Sequence, residues 1–131
     1  MKIKIDLNEH AASFKRKRTS KKWLHIHTPL GLDGEYTFVY TYPLRNKARF
    51  IRPLNTANTA EDLLVLGRGD YERIYAEEES AAGVTKNIPG MLNRAWSAGP
   101  YGIWGHHFSD LYFETLEIDL KNKLVEFGMG S

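Results

Sequence analysis

Residues 35–42 read Glu35-Tyr36-Thr37-Phe38-Val39-Tyr40-Thr41-Tyr42. Side chains alternate between faces along a strand, so Tyr36, Phe38, Tyr40 and Tyr42 fall on one side and Glu35, Thr37, Val39 and Thr41 on the other. Aromatic and β-branched residues suit a pleated, half-buried surface. The stretch predicts a β-strand with an aromatic core face, ended by Pro43. Upstream, Pro29-Leu30-Gly31-Leu32-Asp33-Gly34 reads as a turn, with Asp33-Gly34 its strongest signal. Beyond that turn, Trp23 to Thr28 alternates again. Leu24 and Ile26 point one way; Trp23, His25 and His27 point the other. These two strands are expected to pair as a hairpin.

Further out, Ile3, Ile5 and Leu7 alternate with Lys2, Lys4 and Asp6, which predicts a short half-buried strand at a sheet edge. Residues 8–22 are polar and basic, a loop or a short helix. Lys47 to Arg52 is a further strand candidate, closed by Pro53. Leu111 to Ile118 reads as a strand, Asp119 to Lys123 turns, and Leu124 to Phe127 returns as its antiparallel partner.

Between the strands lies one helical pattern. Thr59 can cap it, and Glu61 and Asp62 fill a first turn where the helix dipole favours acids. Leu63, Leu64, Tyr71, Ile74 and Tyr75 form an apolar stripe. Gly67 and Gly69 interrupt it, each costing about 1 kcal/mol against Ala. The helix either runs through them or divides, with Asp70 capping a second piece. Glu77-Glu78-Glu79 reads as a solvated acidic end. Ile88 to Trp96 has room for one or two helical turns. The expected fold is therefore α+β: an antiparallel sheet of five or six strands with one main helix packed on one face, in a single domain over residues 1–131.

The totals restrict function more than they define it. The chain has 131 residues, 42% hydrophobic and 26% charged, an ordinary globular balance. It has no cysteine, which excludes disulfides, thiolate nucleophiles and thiolate zinc sites. No apolar run reaches a membrane span, and the alternating, charged start is unlike a secretory signal. A cytoplasmic, bacterial or phage protein is the expectation. The net charge of +2 hides an asymmetry: residues 1–52 carry 12 Lys/Arg against 4 Asp/Glu, residues 53–131 carry 6 against 12. Segregated in space, the halves would give a basic and an acidic face.

Four groups of residues can carry chemistry. The loop from Tyr101 through Gly102, Ile103, Trp104, Gly105, His106 and His107 combines glycine turns with rigid aromatic contact area. That combination suits binding, with Arg94 and Asp110 as neighbours. The bland reading is that Tyr101, Ile103 and Trp104 plug the end of the core. His25 and His27 leave one strand face and, with His106, could ligate Zn²⁺ or another divalent metal, although no strong ligand spacing is present. In a catalytic version, His106 or His107 is the base and Asp110 or Glu114 its orienter, with Lys and Arg holding phosphate. That describes a histidine-based nuclease or metal-dependent hydrolase. Lys15, Arg16, Lys17, Arg18, Lys21 and Lys22, followed by Trp23, could neutralise phosphates and stack a base. Finally, Tyr71 and Tyr75 share a helix face, with Arg73 one turn from Glu77.

No nucleophile elbow, P-loop or dinucleotide fingerprint occurs. The expectation is a small non-catalytic binding protein, immunity-type or accessory, that engages a protein partner through the aromatic-glycine loop. The histidine enzyme and a nucleic-acid binder are the alternatives. No cofactor is expected, with a divalent metal as the weak alternative.

Overall fold

The computed structural model describes residues 2–7, 13–14, 28–83 and 97–131. Its elements are β1 (Lys2–Asp6), β2 (Gly34–Tyr40), β3 (Ala48–Leu54), α1 (Ala60–Ala82), a single 3-10 turn (Phe108–Asp110), β4 (Tyr112–Asp119) and β5 (Leu124–Gly130). The five strands form one sheet in the order β1-β4-β5-β2-β3.

The α+β class and the single main helix are as expected, but the sheet is mixed. β2 pairs antiparallel with β3, β4 with β5, and β1 with β4, whereas β2 and β5 run parallel. Two antiparallel hairpins are thus joined side by side at a parallel seam. Alternation along each strand specifies which face is buried. It carries no information about the direction of a neighbour that lies far away in sequence. The expected partner strand at 23–28 lies outside the described residues, as does the helical stretch at 88–96.

The aromatic alternation of β2 holds where it is strand. Tyr36, Phe38 and Tyr40 are buried, while Tyr42 lies past the strand end and is half-buried. Together with Val125 and Phe127 of β5 and Phe113, Leu116 and Ile118 of β4, they pack against Leu63, Leu64, Tyr71, Ile74 and Tyr75 of α1. Rings meet closely there, as in Phe113–Phe127 at 4.6 Å and Tyr40–Tyr71 at 5.0 Å between centroids. β3 does not stop at Arg52 but continues through Pro53 to Leu54. It is an edge strand, so the missing proline donor can point away from the sheet. Ile51 on its outer face is 67% exposed.

α1 is one uninterrupted helix. Thr59 caps it in a reciprocal box: its hydroxyl accepts from the Asp62 amide at 3.3 Å, and the Asp62 carboxylate accepts from the Thr59 amide at 2.9 Å. The helix survives Gly67 because that glycine faces the sheet. A Cβ there would stand 2.6 Å from Phe127 Cζ, so glycine is what lets helix and sheet approach. Gly69 is different: it is exposed, and a Cβ there would meet nothing within 4 Å. Its helix-propensity cost of about 1 kcal/mol has no compensating contact among the described residues.

Candidate functional site

The buried side of α1 runs Ala60, Leu63, Leu64, Gly67, Asp70, Tyr71, Ile74, Tyr75 and Glu78. Two carboxylates therefore sit in the apolar stripe, and both are fully buried. A buried carboxylate is costly unless its oxygens are satisfied. Each has found partners, of different kinds.

Asp70 is held by side chains from the sheet. The Tyr40 hydroxyl donates to it, and Arg52 donates through both Nη2 and, at 3.2 Å, Nε. The Arg52 side chain is 31% exposed, so its guanidinium keeps contact with solvent. Burial, then the bond to Asp70, pushes the Tyr40 phenol far above its ordinary value, and the bond to Asp70 raises Arg52 as well. Both groups hold their protons throughout the working pH range.

Glu78 is held by a loop. It accepts from the Ser97 hydroxyl and from the backbone amides of Gly99 at 3.0 Å, Tyr101 at 2.8 Å and Gly102 at 3.2 Å. Burial pushes its carboxyl up. The bonds from Ser97 and from the backbone of Tyr101, Gly99 and Ile103 outweigh that, leaving it below the ordinary carboxylate value. At Gly99 a Cβ would stand 2.5 Å from the Glu78 carboxyl carbon, so the close approach needs glycine. Ser97 completes the closure: its oxygen accepts from the Ile103 amide at 3.0 Å, and its own amide donates to the Ile103 carbonyl at 2.9 Å. The acidic run 77–79 is thus not a solvated end throughout, because its middle member is the peg on which residues 97–103 hang.

The same loop is tied to the chain after β2. Arg45 and Asn46 amides donate to the carbonyls of Gly102 and Tyr101, each at 3.0 Å, and the Trp104 amide donates to Pro43 at 3.1 Å. Ile103, fully buried, is the apolar plug. Trp104, the next residue, is 38% exposed. Its ring stands edge-on to Tyr42 at 5.9 Å and tilted against His106 at 5.8 Å, and Tyr42 and His106 are 5.7 Å apart. Ser131 closes the group, its hydroxyl lying 3.0 Å from His106 Nε2 and 2.8 Å from the Tyr42 hydroxyl. Three rings thus form one packed platform at the surface.

Tyr101 is half-buried, and its hydroxyl donates to Glu77, which also accepts from Arg73 Nε at 2.7 Å. Burial and the Glu77 bond push the Tyr101 phenol up to about 12. The phenol and then Arg73 hold Glu77 below its ordinary value. Asp110 accepts from the His107 backbone amide at 3.0 Å and so shapes the turn at 107–110. His107 lines a groove with Tyr75 and Phe108, whereas the His106 ring joins Tyr42 and Trp104. The two adjacent histidines serve different surfaces.

Of the residues expected to matter, the structure brings together Trp104 and His106, and adds Tyr42 and Ser131. Arg94, His25, His27, Trp23 and the basic run Lys15–Lys22 lie outside the described residues. Among the described residues no three His, Asp or Glu side chains converge as metal ligands. Glu78 and Asp70 were missed as organising residues. Their signal was present: each lies four residues from Ile74, in phase with the apolar stripe.

Fold and surface together define an α+β protein whose described residues form a mixed five-stranded sheet and one main helix, with an aromatic platform on a pinned loop. No protein-family model, curated protein or solved structure matches the chain. No helix of the described residues is long and apolar enough to cross a membrane.

Proposed function

We propose that this chain is a small non-catalytic binding protein whose Tyr101–His107 loop engages a macromolecular partner, most simply another protein. The observation that supports this is Trp104: a large aromatic, 38% exposed, on a loop whose backbone is fastened to a buried carboxylate. A rigid aromatic anchor loses little entropy on binding, and tryptophan dominates interface energetics when a partner covers it. Tyr42 and His106 extend the contact area. The uneven charge along the chain would guide encounter more than it sets affinity. An immunity-type inhibitor or an accessory subunit of a bacterial or phage system, acting in the cytoplasm, fits this reading.

The test is a pull-down from native lysate with mass spectrometry, run in parallel with Trp104→Ala. A partner retained by the wild type and lost by the variant, with the melting temperature unchanged, is the expected outcome. Undiminished retention by Trp104→Ala would overturn the assignment of this surface.

A further inference from the structure

The segment after β2 and the pinned loop run side by side at the end of the sheet. Leu44 faces Ile103 in an isolated antiparallel bridge, and both are buried. Arg45 therefore stands opposite Gly102, its amide bonded to the Gly102 carbonyl at 3.0 Å. Gly102 has a φ of +64°, and a Cβ there would stand 2.8 Å from Arg45 Cβ and 3.5 Å from its Cδ. Both the backbone angle and the close approach call for glycine. The stem of Arg45 lies across it, so that Gly102 is buried while Arg45 stays exposed. Trp104 is the diagonal neighbour of Arg45 in this pairing, a separation of about 7–8 Å that long and aromatic side chains bridge.

This guanidinium, placed beside an exposed tryptophan, has no acidic partner. Ion pairs join Arg52 to Asp70, Arg68 to Glu72 and Arg73 to Glu77. Arg45, Lys47 and Arg49, all exposed, make none among the described residues. The two stretches that build this surface, 41–49 and 97–108, contain those three cations, His106 and His107, and no Asp or Glu. The carboxylates that reach the loop from α1 are engaged: Glu77 with Arg73 and Tyr101, Glu78 with Ser97 and the loop amides.

Resting on the Tyr101–His107 loop as the binding surface, we infer that the partner is a protein that meets it with an acidic segment, Asp or Glu set beside an apolar side chain. Charge complementarity selects the acid. Unpaired Arg45, Lys47 and Arg49 leave this end of the sheet positive, and a carboxylate meets the planar fork of Arg45 with two parallel hydrogen bonds. The rings select a side chain rather than a nucleobase as the neighbour of that acid. Tyr42 and Trp104 are inclined by 80°, Trp104 and His106 by 46°, and Tyr42 and His106 by 39°, all three packed together. A base stacks on a flat, open ring face, whereas an apolar side chain fills the angle between inclined rings. An arginine whose stem is already packed also loses little freedom when the carboxylate arrives.

The experiment selects random peptides displayed on phage against the wild-type chain, with counter-selection on Trp104→Ala. The expected enrichment is Asp or Glu next to Leu, Phe or Trp. A synthetic copy of an enriched peptide, followed by fluorescence anisotropy, should bind Arg45→Gln roughly tenfold more weakly than the wild type, with the melting temperature unchanged. The double variant Lys47→Gln with Arg49→Gln should weaken binding as well. Lys4→Gln, exposed on the opposite edge strand β1, should leave it unchanged. Enriched peptides that depend on Trp104 but carry no acid would overturn the acidic partner and leave the loop standing as a binding surface. No Trp104-dependent peptide at all would overturn both. Equal weakening by Lys4→Gln would reduce the effect to diffuse attraction and overturn the proposal. Tighter binding of single-stranded oligothymidylate than of the peptide, with a steep salt dependence, would also overturn it, in favour of nucleic acid as occupant.

Discussion

The two buried carboxylates of α1 lie eight residues apart on one helix face and do different work. Asp70 is satisfied by side chains, Tyr40 and Arg52, that belong to the sheet beneath it. It rivets two regular elements that the apolar core already joins. Glu78 is satisfied largely by main-chain amides of residues that have no regular structure of their own. The apolar cluster joins helix and sheet around Asp70. Residues 97–103 are fastened to the helix chiefly through Glu78, and to the chain after β2 through the Arg45 and Asn46 amides. The position of a carboxylate in the sequence stripe is the same in both cases, and the consequence of losing it is not.

The largest expected effect follows from that contrast. Glu78→Ala leaves three amides without their acceptor and the Ser97 hydroxyl with only the Ile103 carbonyl at 3.2 Å, and orphaned buried donors cost about 1–3 kcal/mol each. Partial rescue by water as the loop loosens brings the expected loss to about 3–5 kcal/mol, measured by urea denaturation. Hydrogen exchange should show amides 97–103 losing protection first, while β4 and β5 keep theirs. Unchanged protection in the loop would break the comparison.

Asp70→Ala is expected to cost less, about 2–3 kcal/mol. Arg52 is part-exposed and can turn its guanidinium to water, leaving Tyr40 as the main orphan. Its loss should be felt globally, with no segment exchanging ahead of the rest. A larger loss for Asp70→Ala than for Glu78→Ala would reverse the ranking and make the sheet contact the dominant one.

Acid sharpens the comparison further. Glu78 is held below its ordinary value of 4.5 in the folded chain. A carboxyl depressed by folding contributes stability that is fully present above its unfolded pKa and is lost as pH falls through the folded one. The wild type should therefore lose stability as pH drops below about 4.5, and Glu78→Gln should show a flatter acid limb over that window. Identical limbs would mean that the bonds from Ser97 and the loop amides do not favour the charged form.

How far residue patterns reach can be judged from these same positions. β1, β2, β4 and β5 were legible because alternation at period two survives wherever one sheet face is buried. Thr59 as cap was legible because capping is local chemistry. The parallel seam between β2 and β5 was not, since it is decided by how distant hairpins meet. Gly67 read as a weakness because its reason, the ring of Phe127, is supplied by another element. In the candidate site, Trp104 and His106 were legible from composition. Their union with Tyr42 and Ser131 was not, because it depends on loops closing across the end of the sheet. Glu78 was misread through chemistry: three successive glutamates look solvated, yet the helical period turns the middle one inward.

The smallest expected effect isolates the rim of the same loop. Tyr101 reaches it from both sides: its amide donates to Glu78 and its hydroxyl to Glu77. Its phenol is pushed up to about 12, first by burial and then by the Glu77 carboxylate. The phenol's raised value means its contribution to stability is present below its ordinary 10.0 and lost as pH rises through the folded value. Ultraviolet titration should find Tyr101 ionising late, and Glu77→Gln should move it part of the way back, because the contribution of burial remains. Glu78→Gln should move it too, by loosening the backbone that holds the ring in place. If Glu77→Gln shifts Tyr101 while Glu78→Gln leaves it untouched, the ring is positioned by its hydroxyl alone, and Glu78 organises less of this surface than its hydrogen bonds imply.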